Sequence, residues 1–193
     1  LLLGLLPPTS GKIMLNEKEL HHYSRSSFSS KIGYVPQDIY LLDDSIINNI
    51  ALGIEKDHID FDKVKHVSKI ADIHEFITDN LEEGYSSLVG ERGARLSGGQ
   101  VQRIGIARSL YNNPQILILD EGTSNLDQAT ETKILNNLVN SKDIKLLIII
   151  AHRLVTTEKC DQLLFFKNGE IADKGTYQEL NERNQDFKNL TKS

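Results

Sequence analysis

Two short apolar runs constrain this 193-residue chain more than any other feature. Ile116-Leu117-Ile118-Leu119 and Leu146-Leu147-Ile148-Ile149-Ile150 are strand-length and contain no polar residue. A strand with one wet face alternates, whereas an unbroken aliphatic run belongs to a strand covered on both faces, as in parallel sheets. A helix-length segment, Gln128 to Val139, lies between the two runs, and another, from about Gly98 to Tyr111, precedes the first. Helix and strand in alternation imply an α/β domain with a largely parallel sheet.

The flanking regions have other rhythms. Lys12 to Leu20 alternates and suggests a short strand or hairpin piece, with Asn16-Glu17 near a turn. Ser24 to Ser30 reads as a loop or weak helix leading into a strand that ends at Pro36. From Asp44 to Tyr85 the pattern is helical: Ser45 can cap Ile46 to Leu52, and Phe61, Val64, Val67 and Ile70 recur at spacings of three. Ile73, Phe76 and Ile77 add another turn, so this stretch reads as a small helical subdomain. Leu163 to Phe166 and Glu170 to Ala172, joined by Asn168-Gly169, predict a hairpin. A short helix follows near Thr176, and the polar tail from Asn181 is expected to fray. There is no internal repeat and no low-complexity tract.

Composition excludes several classes. With 39% hydrophobic and 25% charged residues, the chain is not disordered throughout. A net charge of −5 and the absence of a long basic run argue against a nucleic-acid partner. The single cysteine, Cys160, rules out an internal disulfide framework and a multi-cysteine metal site. No segment approaches the roughly 20 apolar residues that cross a bilayer. Leu1 to Leu6 is apolar with no basic residue before it, so no signal peptide is expected here. It reads as the end of a helix stopped by Pro7-Pro8-Thr9-Ser10-Gly11.

Two elements carry chemistry. The run Ile116 to Leu119 ends in Asp120-Glu121, placing two carboxylates at the C-terminal end of a strand, where open α/β sheets bind ligands. Asp120 is suited to hold Mg²⁺ directly or through water. Glu121 would then polarise an attacking water. The second element is Leu96-Ser97-Gly98-Gly99-Gln100, which opens the helix continuing through Val101-Gln102-Arg103. Ser97 can cap that helix, and Gly98 and Gly99 let backbone N–H groups approach an anion closely.

Together these two strings resemble the signature motif and Walker B motif of ABC ATPases. Three more matches follow the family's order. Tyr34-Val35-Pro36-Gln37 resembles the Q-loop, Ser124-Asn125-Leu126-Asp127 the D-loop, and Ile150-Ala151-His152-Arg153 the H-loop. The resemblance implies a P-loop NTPase-like α/β fold: a RecA-like core from residues 1–36 and 113–193, and a helical subdomain with the signature over 37–112. It implies ATP and Mg²⁺ as ligands, with Gln37 serving the metal or the attacking water and His152 donating to the γ-phosphate. Ser97, Gly98, Gly99 and Gln100 would close over a nucleotide held by a second nucleotide-binding domain, identical or not, and Asp127 would act across that dimer. In place of the alanine that many relatives carry after the Walker B glutamate stands Gly122, expected to add backbone freedom.

One expected motif does not occur. A P-loop requires Gly-x-x-x-x-Gly-Lys-Ser/Thr. At Gly11-Lys12 the next residue is Ile13, and Leu6 occupies the place of the first glycine. Leu1 to Gly11 resembles the segment that follows a P-loop, so the chain is expected to begin just after one and to be inactive alone. Val89-Gly90-Glu91-Arg92-Gly93 and Ser45-Ile46-Ile47-Asn48-Asn49-Ile50 resemble exporter patterns. They imply a motor domain on the cytoplasmic face of the inner membrane, joined to transmembrane domains on the same longer chain and moving lipid, peptide or glycolipid. The alternatives are a non-transport ABC ATPase and a truncated binding module without turnover.

Overall fold

In a computed structural model of the chain, residues 1–151 and 154–190 are described. They form two compact units, Leu1–Ile150 and Ala151–Ser193.

In the first unit the alternating segment is a hairpin, one of the two forms its sequence allowed. β1 (Met14–Leu15) and β2 (Lys18–Glu19) pair antiparallel, and Asn16 takes the left-handed conformation (φ 47°) at the turn. The serine-rich stretch becomes α1 (Arg25–Ser29), because the Ser24 hydroxyl accepts from the Ser27 N–H and caps it. β3 (Ile32–Val35) ends before Pro36. Three helices follow: α2 (Ile46–Ile50), capped by Ser45; α3 (Phe61–Ile70), capped by Asp60; and α4 (His74–Asn80). Next come α5 (Gly98–Leu110), β4 (Ile116–Asp120), α6 (Gln128–Val139) and β5 (Leu146–Ile150).

β3, β4 and β5 form a parallel sheet in that order, with Val35 opposite Leu119 and Asp120 opposite Ile150. The fold is therefore α/β with a parallel sheet, as the apolar runs implied. Leu117 and Leu119 of β4 have no exposed surface, and each such side chain contributes about 1.5–3 kcal/mol by leaving water. β5 departs from expectation. Leu146 and Ile150 are exposed, because among the described residues β5 has a strand on one side only.

α5 organises this unit. Ile104, Ile106 and Ala107 are buried in one core with Val64 and Val67 of α3 and Ile134 and Leu138 of α6. Near its C-terminal end, Arg108 donates to the Asn49 carbonyl at 2.7 Å, to Asn49 Oδ1 at 3.0 Å and to the Tyr40 carbonyl at 2.8 Å. Burial pulls this guanidinium's pKa below its usual value, and the three acceptors offset the lost hydration. At the other side, Arg103 donates to the Asp72 carbonyl, while Lys133 of α6 pairs with the Asp72 carboxylate at 2.6 Å. Asp72 thus ties α5 and α6 to the turn between α3 and α4.

Leu1 to Leu6 is a turn, not a helix end. Gly4 sits at φ 67° and donates to the Leu1 carbonyl at 2.8 Å. That left-handed glycine and the restriction Pro7 places on Leu6 both oppose helix.

In the second unit, β6 (Leu163–Lys167) and β7 (Glu170–Gly175) form the predicted hairpin, turned by Asn168 and Gly169, both at positive φ. α7 (Tyr177–Arg183) starts with a capping box between Thr176 and Glu179. The tail then differs from expectation, because α8 (Gln185–Leu190) follows instead of a frayed end. Phe187 is buried with Leu163 and Leu180, and its ring meets Phe165 and Tyr177 edge-on at 5.9 and 5.7 Å. One aromatic anchor in a polar stretch is enough to order it, which average composition conceals.

Candidate functional site

β4 delivers Asp120 and Glu121 to its C-terminal end, and the neighbouring β3 segment braces both. The Tyr34 hydroxyl donates to Asp120 Oδ2 at 3.0 Å, and the Gln37 amide donates to Glu121 Oε2 at 3.1 Å. Desolvation first, and the Asp120 carboxylate second, push the Tyr34 pKa above its usual value, so the phenol remains a donor.

The backbone at Glu121 is unusual. Its φ is 52°, in the left-handed region that a glutamate rarely occupies. Among the described residues, hydrogen bonds hold its backbone on both sides. The Glu121 N–H donates to the Ile150 carbonyl at 3.1 Å, while the Glu121 carbonyl accepts from the Ser124 N–H at 3.0 Å and from Gln102 Nε2 at 3.2 Å. The expected freedom at Gly122 is not what this glycine supplies. A β-carbon there would lie 3.0 Å from Val35 Cγ1 and 3.2 Å from Val35 Cβ, so Gly122 permits close packing while Glu121 takes the strained conformation.

Ser97 is exposed and forms a capping box at the start of α5. Its hydroxyl accepts from the Gln100 N–H at 3.3 Å, and its N–H donates to Gln100 Oε1 at 2.8 Å. The first-turn amides of Gly98 and Gly99 have no intrahelical acceptor, which is the arrangement that attracts anions. A cleft of about 250 Å³ is lined by Gln37, Arg92, Gly98, Gln102 and Asn125, so the segment after β3 and the signature turn border one space.

Asp127 has a structural occupation in this chain. It caps α6, accepting from the Thr130 N–H at 3.0 Å and the Thr130 hydroxyl at 2.7 Å. These bonds, the hydroxyl's first, hold its carboxyl below the usual pKa range. His152 lies outside the described residues. Asp120, Glu121 and Gln37 are thus brought together, with Ser97 to Gln100 on the exposed end of the helix whose Gln102 reaches Glu121.

Sequence reasoning missed Gln102 and the role of Tyr34. Gln102 shares a helix face with Ile106, and a polar residue in core phase signals a buried hydrogen bond. Tyr34 carried no local signal, because its acceptor lies 86 residues away. The donor set fits Mg²⁺, since Asp120 and Gln37 offer hard oxygen ligands. Elsewhere, Glu19, His21 and His22 cluster at the surface, but Lys12 already pairs with Glu19.

The loop resembling the exporter segment is a turn, Glu91–Gly93, entered through Gly90; Gly90, Arg92 and Gly93 all have positive φ. Buried Val89 donates from its N–H to the Asp44 carbonyl at 3.1 Å and anchors it, leaving Glu91 and Arg92 exposed.

Comparison with known proteins agrees with this geometry. The profile of the ABC transporter family matches residues 1–124. The chain is 40% identical over 189 residues to an uncharacterised ABC transporter ATP-binding protein of Bacillus subtilis, covering 98% of this chain and 32% of that protein. It is 43% identical over 173 residues to an alpha-hemolysin translocation ATP-binding protein of Proteus vulgaris, covering 90% of this chain and 24% of the other. A bacterial Atm1-family ABC exporter solved with ATP bound superposes with a TM-score of 0.90 at 36% identity, over 98% of this chain and 33% of that one. The chain thus spans about a third or less of the length of each. Matched motifs, a parallel sheet with its carboxylates at the strand ends, and relatives well above 30% identity place this chain in the ABC transporter family of ATP-binding proteins.

Proposed function

We propose that these residues form most of a nucleotide-binding domain that hydrolyses ATP to drive an exporter, with a core from 1–36 and 113–193 and a helical subdomain over 37–112. The observation that carries the reading is the pairing of Gln37 with Glu121 beside Asp120, on a chain whose capped signature helix is exposed. Glu121 accepts a proton from the attacking water, and Gln37 orients the glutamate that does so. Asp120, held by Tyr34, and the Gln37 amide would hold Mg²⁺, which when bound neutralises phosphate charge. Ser97 to Gln100 present helix-end amides to the nucleotide of a second domain, identical or not, and His152 donates to the γ-phosphate of the nucleotide held beside Asp120 and Glu121.

The exposed turn at Glu91 and Arg92 contacts transmembrane domains carried on the same longer chain, and the assembly works at the cytoplasmic face of the membrane. Among the described residues no helix is long and apolar enough to cross a membrane. The exporter-type relatives support this placement.

The test is Glu121→Gln in the domain extended upstream with a P-loop segment. Turnover should fall by about 10²–10⁴, the usual contribution of a positioned base, while ATP-driven dimer closure persists. Unchanged turnover removes Glu121 from this role. For the 193 residues alone, the absence of a P-loop sequence favours a second reading, binding without turnover. A magnesium-dependent ATPase rate from that chain would exclude it.

A further inference from the structure

Gln102 is 1% exposed, yet neither end of its amide is idle. Nε2 donates to the Glu121 carbonyl at 3.2 Å, and Oε1 accepts from the Asn125 N–H at 2.8 Å. One side chain from α5 therefore spans the turn from Glu121 to Asn125, gripping its first and last residues. That turn opens with a glutamate held at φ 52°, a conformation that persists only where its surroundings enforce it. Of the bonds on the Glu121 peptide, those from Ser124 and to Ile150 are backbone bonds of the turn and the sheet. Gln102 adds a side-chain bond, and it comes from the helix that Ser97 caps. The contact is close-packed beside the strut as well: a β-carbon on Gly99 would lie 3.3 Å from the Asn125 carbonyl oxygen.

We propose that Gln102 is a positioning residue for the hydrolytic centre. Its amide makes the Glu121 turn follow the first turns of α5, so that the nucleotide engaged by Ser97 to Gln100 sets the placement of Glu121 in the same chain. The proposal rests on the reading of Glu121 as the group that activates water. A shift of α5 by a fraction of an ångström passes to the Glu121 carbonyl and Asn125 N–H together, because an amide too buried to re-bond to water has nothing else to hold.

The test uses Mg-ATP turnover by the full-length protein, comparing wild type with Glu121→Gln, Gln102→Met and Gln102→Glu. Gln102→Met keeps the bulk and removes both bonds. It should lower kcat roughly 10- to 100-fold, the scale of a misplaced catalytic group, with KM for ATP unchanged. Gln102→Glu keeps the acceptor for Asn125 and lacks the donor when ionised. Burial raises a carboxyl above its ordinary pKa of about 4.3, so protonation restores an O–H donor. Its kcat relative to wild type should then recover as pH falls from about 8.5 to about 6, a response that loss of packing would not give.

Wild-type kcat in Gln102→Met, beside an inactive Glu121→Gln, overturns the proposal and leaves the Glu121 reading intact. A parallel loss of kcat and KM, with Gln102→Glu flat across pH, overturns it too. Full activity in Glu121→Gln removes the base assignment, and the positioning role with it.

Discussion

The side-chain amide of Gln37 donates to Glu121 Oε2 at 3.1 Å, joining residues 84 positions apart in the sequence. It acts on the tip of a side chain whose own backbone is in the left-handed region. Tip and peptide are thus fixed by different partners, and Glu121 is held where its backbone preference would not put it.

That strain predicts a trade between stability and activity. Asn tolerates the left-handed region better than Glu does, and a strained residue costs on the order of 1–3 kcal/mol. Glu121→Asn should therefore raise the melting temperature of the chain by about 2–4 °C, the shift that one kcal/mol gives at this size. Differential scanning calorimetry reads it directly, and a lowered melting temperature contradicts the claim that Glu121 is strained.

Two buried glycines should respond differently to alanine. At Gly33 the new β-carbon would meet the Ser109 backbone carbonyl oxygen at 2.6 Å, and a backbone atom cannot step aside. At Gly105 it would meet Ile39 Cδ1 at 2.3 Å, the end of a side chain that is only half-buried. Gly33→Ala should cost about 1–3 kcal/mol, as overpacking does, and Gly105→Ala less. Denaturant unfolding of the two variants checks the order, and equal losses would mean that Ile39 is as immovable as backbone.

Acid sensitivity of the second unit should trace to Asp173. Hydrogen bonds from Arg183 first and Asn184 next lower its pKa from 3.8 to about 2. A carboxyl depressed in the folded state stabilises fully above its ordinary value, and that contribution drains away as pH falls toward the folded one. The difference in melting temperature between wild type and Asp173→Asn should be constant above about pH 5, shrink below pH 3.8 and vanish near pH 2. A difference independent of pH would assign the effect to packing instead.

Local signals were readable and distant ones were not. The bounds of α6 and β5 follow from a capping aspartate, helical spacing and an unbroken aliphatic run, all within a few residues of one another. Asp120, Glu121 and Gln37 could be named from their motifs. That Tyr34 holds Asp120 and Gln102 holds Glu121 depends on β3 lying beside β4 and on the roll of α5, neither of which is encoded near those residues. The order of the tail is not legible locally, because Phe187 lies in a polar stretch and finds its partners in β6 and α7. In Leu1 to Leu6 the apolar composition favours helix, while the left-handed Gly4 decides for a turn.

The Asp127 carboxylate already has an employer. Both its oxygens are committed to Thr130, where they close the open end of α6. A second chain that drew the carboxylate toward itself would leave that end open. Such a pull on Asp127 would unlatch the leading coil of α6, and a faster-exchanging Thr130 amide would announce the encounter.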